Sequence, residues 1–181
     1  MSVRDVMARV RLAVSRAVVT LVADRKRLQE LQITLLADEA RAAVERFQQY
    51  GFTSVPLEGA EAIALAVGGS RSHMVVIAVD DRRYRPTGLK PGETCVYTDK
   101  GDRVHIREDG TIEVVASAKV YADAPLVECT GDAKVAGDLH VGGNIVCDGD
   151  VSDRRGSMQE MRTRYNSHTH GNTPPPVPAM D

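Results

Sequence analysis

The sequence predicts a mainly β protein: a small closed barrel, then a stack of very short strands that three intertwined copies complete, with a helix at the N-terminus. Three observations predict it. Short alternating apolar runs fill much of residues 31–79. From Gly88 on, turn signals separate runs of four to seven residues. Residues 130–153 are four consecutive hexads: Thr-Gly-Asp-Ala-Lys-Val, Ala-Gly-Asp-Leu-His-Val, Gly-Gly-Asn-Ile-Val-Cys and Asp-Gly-Asp-Val-Ser-Asp.

In chain order, residues 3–21 place Val3, Val6, Met7, Val10, Val14, Ala17, Val18 and Leu21 at helical spacing, which predicts an amphipathic helix packed on its own domain or docked on a partner. Leu31, Ile33 and Leu35 alternate as a strand. Asp38 reads as an N-cap, Ala40, Ala43, Val44 and Phe47 as a helical stripe, and Gly51 as its stop. Phe52–Pro56 reads as a short strand. Ile63, Leu65 and Val67 alternate with alanines as a buried one, and Gly68–Ser72 turns the chain into the apolar run Met74–Val79. About five strands and one helix in this length fit a small Greek-key barrel of the OB type.

Beyond Gly88, Pro91-Gly92, Asp99-Lys100-Gly101-Asp102 and Glu108-Asp109-Gly110 punctuate strands in which Val96, Val104, Ile106, Ile112 and Val114 share even parity. The stack therefore starts near residue 93. In the hexads Ala133, Val135, Leu139, Val141, Ile145 and Cys147 share the odd face, while Asp132, Lys134, Asp138, His140 and Asn144 take the other. The phase flips between 115 and 126, as at a bulge or corner. Gly131, Gly137, Gly143 and Gly149, each followed by Asp or Asn, are read as bends at φ > 0. Each strand is too short to bury its apolar face alone. Four hexads make barely one coil of a left-handed β-helix, which needs several. Three chains wound about one axis bury the odd face instead.

The pattern is interrupted at 154–162 by Arg154, Arg155, Met158 and Met161, and the segment 172–181 holds four of the eight prolines. Between them stand His168 and His170, two apart and on one side of a strand. One chain offers a metal two imidazoles, but three chains offer six, a closed octahedron that suits iron(II) or a neighbouring first-row metal better than zinc. His140 faces outward with Lys134 and Asp138. His73 and His105 stand alone, and the arginines at 154, 155, 162 and 164 read as a solvated face.

Composition excludes several classes. Aromatic residues make up 4% of the chain, there is no tryptophan, and the net charge is −2, so the barrel lacks a basic-aromatic face for nucleic acid. Cys95, Cys129 and Cys147 contain no Cys-x-x-Cys and read as reduced, buried, small apolar residues. The first residues show no signal peptide, and no apolar run reaches membrane-spanning length. No nucleophile elbow, phosphate-binding loop or His-Glu-x-x-His is present, so no enzyme is expected.

The block Gly68–Pro86, the run Lys100–Ile106, the hexads and Tyr165-Asn-Ser-His-Thr-His170 resemble Mu-type phage baseplate assembly protein V, the central tail spike of contractile-tailed phages. The resemblance covers nearly the whole chain and is weakest before residue 25. It implies a homotrimer with an OB-fold collar and a triple-stranded β-helix needle. It implies an apex where His168 and His170 of three chains bind one iron. It further implies a hub protein of the baseplate at the N-terminal end, and a tip that presses on and penetrates the host outer membrane when the sheath contracts. Calcium and chloride ions accompany some family members, and no residue here maps to them. The implied division is an N-terminal helix or arm at 1–22, an OB-fold domain at 23–90, the β-helix at 91–160, and an apex with tail at 161–181. The chain is expected to fold in the host cytoplasm and to end in the virion baseplate. Two other readings are an OB-fold binding module, which would bind single-stranded DNA in a salt-dependent way, and a hexapeptide-repeat acyltransferase, which would need many more hexads.

Overall fold

The computed structural model describes Val10, residues 13–35 and residues 39–180. By its contacts the chain divides after Ala122 into two compact units. The first unit opens with β1 (Val14–Ala23), β2 (Glu30–Leu35), β3 (Ala40–Arg46), β4 (Glu61–Ala66) and β5 (Met74–Asp80), which close a barrel in the order β1-β2-β3-β5-β4. All neighbours are antiparallel except β3 and β5. The order is that of an OB-like barrel. Val19, Leu31, Ile33 and Val76 are fully buried at its centre, each contributing about 1.5–3 kcal/mol.

Three expectations fail here, each for a stated reason. The helix read over 3–21 does not exist from Val14 on, because Val14–Ala23 is β1, bonded on both sides by β2 and β4. The rest of that stretch, apart from Val10 and Ala13, lies outside the described residues. Spacings of three and four fit Val14, Ala17, Val18 and Leu21, but of these only Ala17 enters the core, and it does so with Val19 at spacing two, while Val14, Val18 and Leu21 are exposed. The helix read over 38–51 is β3 and a loop; Asp38 lies outside the described residues. Its alanine-rich sequence favours a helix, and pairing with β2 and β5 overrides that weak preference. A bulge there puts Ala43 at φ 54°. Phe52–Pro56 forms no strand, and Phe52 and Val55 are exposed.

β4 is found, with its faces reversed. Ala62, Ala64 and Ala66 point into the core and Ile63 and Leu65 are half-buried. A five-stranded barrel is narrow, and small side chains on β4 make room for Leu31, Ile33 and Met74. Val67 falls in a 3-10 turn, Val67–Gly69.

The stack begins where the sequence places it. β6 (Thr94–Tyr97), β7 (Arg103–Ile106) and β8 (Ile112–Val115) form an antiparallel sheet. Val96 pairs with Val104 and Val104 with Val114, and Ile106 pairs with Ile112, so the even residues make one contiguous apolar face. That face is exposed. On the opposite face Arg103 and Arg107 bind Glu113, and His105 Nε2 lies 3.2 Å from Glu93.

In the second unit the hexads bend at 130–131, 136–137, 142–143 and 148–149, once every hexad. The bends occur without left-handed glycines: none of Gly131, Gly137, Gly143 and Gly149 has positive φ, because the change of direction is shared with the preceding residue. Among the described residues, no backbone–backbone hydrogen bond joins any of residues 118–149. The unit ends in a hairpin, β9 (Ser152–Asp153) with β10 (Gly156–Ser157), and the helix α1 (Met158–Ser167).

Candidate functional site

The histidine pair sits on the turn that follows α1, and the local sequence builds that turn step by step. Asp153 Oδ1 accepts the N–H groups of Arg155 at 2.7 Å and Gly156 at 3.1 Å, which closes the hairpin around Arg154 and Arg155. Gly156 suits that position, because at φ 149° a side chain is strained and a Cβ would also push the end of the Glu160 side chain aside. Ser157 then caps α1. Its hydroxyl accepts the Glu160 N–H at 3.1 Å, and the Glu160 carboxylate accepts the Ser157 N–H at 3.3 Å. The Asp150 carboxyl is held below its ordinary range, first by the Ser157 hydroxyl and then by the N–H groups of Gln159 and Val151. The interruption at 154–162, read as irregular, is therefore an ordered hairpin and helix. The signal was present as Ser-x-x-Glu at 157–160.

α1 buries nothing within the chain. Met158, Met161 and Tyr165 form an exposed stripe on it. The space beside this stripe is a cleft of about 570 Å³, lined by Val151, Met158, Met161, Arg155 and Arg164 among others.

His168 is the C-cap of α1, and its N–H donates to Arg164 O at 3.1 Å. It leaves the helix extended, at φ −73° and ψ 146°. No strand carries the pair, but the turn brings it together: the rings of His168 and His170 lie 5.1 Å apart and at 85°. His168 Nδ1 is 2.5 Å from Tyr165 O. A carbonyl can only accept, so Nδ1 carries a proton, and in the neutral ring the lone pair is then on Nε2. This is the arrangement by which a backbone carbonyl orients a ligating imidazole. His170 is fixed by Thr173, whose hydroxyl donates to His170 O at 2.8 Å and accepts the His170 N–H at 3.2 Å.

The tail returns to this turn. Asn166 donates to Met180 O at 3.0 Å and accepts the Met180 N–H at 2.8 Å, so one side-chain amide closes the loop that contains both histidines. The sequence gives no sign of this clasp, because it joins residues fourteen apart.

The donor set fits a metal in part. Two oriented imidazoles are available in each chain, and among the described residues no group of three or more His, Cys, Asp or Glu could hold an ion. His140 is exposed, as are its neighbours Leu139 and Val141. His105, expected to stand alone, pairs with Glu93. Glu93 lies below its ordinary range through the Lys90 N–H first, then the Glu108 N–H and His105.

A second site was not foreseen. Lys26, Arg27, Tyr50 and Phe52 line one cleft of about 390 Å³ on the barrel. The expectation that the barrel has no basic-aromatic face is thus corrected: the β1–β2 turn brings the cations and the loop after β3 brings the rings. Overall composition cannot register such a meeting of distant residues.

The family model described as Bacteriophage Mu Gp45, N-terminal, matches residues 16–83, which span the barrel. The chain is 41% identical over 153 residues to the baseplate puncturing device gp45 of Escherichia phage Mu, covering 81% of this chain and 78% of that one. It is 40% identical over 139 residues to the Mu-like prophage FluMu protein gp45 of Haemophilus influenzae, covering 70% and 76%. With this identity over most of both chains, and an OB-like barrel where the family model matches, the protein belongs to the family of phage Mu gp45, the Mu-type baseplate spike proteins of the virion tail.

Proposed function

We propose that three copies of this chain form the spike of a contractile tail, and that its metal-fastened tip meets and penetrates the host outer membrane when the sheath contracts. The observation that carries the trimer is the state of residues 118–149. Their backbone has no partner in the chain, and Val135, Leu139 and Ile145 stand exposed, Ile145 at 70%. Unpaired N–H and C=O groups beside an apolar face demand a neighbour. The glycines add support. Gly131, Gly137, Gly143 and Gly149 have no atom within 4 Å of a would-be Cβ and no positive φ, so nothing inside the chain calls for glycine there. A second strand approaching closely does.

At the end of each chain His168 and His170 hold the metal. Three chains supply six imidazoles and no open position, so the metal serves as a structural fastener. Such an octahedral nitrogen set suits iron(II) or a neighbouring first-row metal better than zinc, and the family resemblance selects iron. Joining three chain ends suppresses fraying where the tip takes the load. The barrel end faces the baseplate hub protein, and no catalytic step is part of this role.

Sedimentation and elemental analysis test the reading. The expected result is a mass of three chains with one iron per trimer. A His168→Ala/His170→Ala variant should remain trimeric and lose the iron. A folded monomer, one metal per chain, or unchanged metal in the variant would overturn it.

A further inference from the structure

We propose that the loop Phe47–Leu57 and the turn Arg25–Arg27 form a docking surface for an acidic segment of another baseplate protein that carries apolar side chains. The inference rests on the baseplate role proposed above and names the surface that serves it.

The loop gathers both phenylalanines of the chain, Phe47 and Phe52, with Tyr50 between them. Tyr50 is 103% exposed and Phe52 67%. Rings in such positions lose contact with water only when something else covers them. The loop is nevertheless fixed. Phe47 N–H donates to Val76 O at 2.9 Å, Phe52 N–H to Gln49 O at 3.0 Å, and Ser54 N–H to Gln48 Oε1 at 2.9 Å. Beneath it, the buried Arg46 guanidinium donates to Ser54 O at 2.8 Å, Ser54 Oγ at 3.1 Å and Gln29 Oε1 at 2.9 Å. Burial draws Arg46 below its ordinary pKa, with Asp24 pulling the other way. A buried charge whose hydrogen bonds converge on one loop base holds that loop in shape. A held loop with protruding aromatics has already lost the conformational entropy that binding would otherwise cost.

The adjoining turn sets the sign of the partner. Lys26 is satisfied by Glu30 at 2.7 Å, but Arg25 and Arg27 have no partner among the described residues, and both are exposed. Arg27 lines the same cleft as Tyr50 and Phe52, with Arg25 two residues away on the same turn, and such a pairing of cation and ring matches carboxylates next to apolar side chains. A nucleic-acid strand matches less well. It brings one charge per nucleotide to a chain of net charge −2. A second copy already has its own seams on residues 118–149 and on the even face of β6–β8.

The test uses the full-length chain and tail particles assembled without it. Wild-type protein should be taken up into the particles. Tyr50→Ala/Phe52→Ala should cut uptake by about tenfold or more, as loss of anchor residues does. Arg25→Glu/Arg27→Glu should slow uptake and remove most of its salt dependence. Sedimentation and melting of both variants should match wild type. Wild-type uptake by both variants would overturn the surface while leaving the baseplate role standing. Failure of the wild type itself to enter particles would overturn both. An oligothymidylate strand bound by wild type and lost in the variants would reassign the surface to nucleic acid, and a change in oligomeric mass would reassign it to copies of this chain.

Discussion

Arg46 shows how much a single side chain can organise. It lies at 8% exposure at the end of β3 and holds Gln29 and the base of the loop after it. Arg46→Leu should cost about 1–3 kcal/mol, because the carbonyl of Ser54 and the amide of Gln29 lose a donor in a place shielded from water. Arg46→Lys should recover only part, since an ammonium cannot fork toward both. The midpoint of barrel unfolding in urea reads both. Ala43 is the opposite case, a residue in a conformation it does not favour. At φ 54° it sits in the left-handed region with an exposed side chain. Ala43→Gly should stabilise the barrel by up to about 1 kcal/mol, the order of the left-handed penalty. A loss of that size in the same urea titration would refute the reading of the bulge.

At the level of elements, the sheet β6–β8 depends on its carboxylates. Glu93 is lowered through the Lys90 N–H, Asp102 through Ser117, Asp109 through Thr111 and Glu113 through Arg103 and then Arg107. Each folded pKa lies below its unfolded value. Their contribution is therefore complete above the unfolded carboxylate range, near pH 4, and is lost as pH falls through the lower folded values. Melting temperature should be flat from neutral pH down to about pH 5 and should fall below about pH 4. A steady decline beginning near pH 7 would contradict this. In the second unit Asn166 clasps both backbone groups of Met180 and so ties the tail beyond Thr173 to α1. Asn166→Ala should free that tail. Limited proteolysis should then cut within the proline-rich segment, while α1, capped independently by Ser157 and Glu160, keeps its helical signal.

At the scale of the whole molecule, the proposed trimer supplies burial that residues 118–149 do not find within the chain. On the proposed trimer, Leu139→Asp should abolish assembly, because it would place a carboxylate from each chain on the proposed axis at several kcal/mol per charge. Asp138→Asn, one residue away on the opposite face, should leave assembly unchanged. Sedimentation of the two variants compares them directly, and equal effects would refute the assignment of faces.

The sequence by itself determined the elements whose signal is local or repeated. Strands β2 and β5, the start of the stack at β6, the even face of Val96, Val104, Ile106, Ile112 and Val114, and the six-residue rhythm of bends were all legible, because residues two apart share a face and glycines at fixed intervals mark turns. The pairing of His168 with His170 was legible as adjacency, though not as a turn. The tertiary structure alone decided β1 and β3, whose helical spacing and alanine content gave way to pairing with neighbouring strands. It alone turned the alanines of β4 inward, because the width of a closed barrel is a property of all five strands together. It alone joined Arg46 to Ser54, Asn166 to Met180 and the cations of one turn to the rings of a distant loop. Those contacts depend on where the chain returns in space, and no periodicity along the sequence encodes that return.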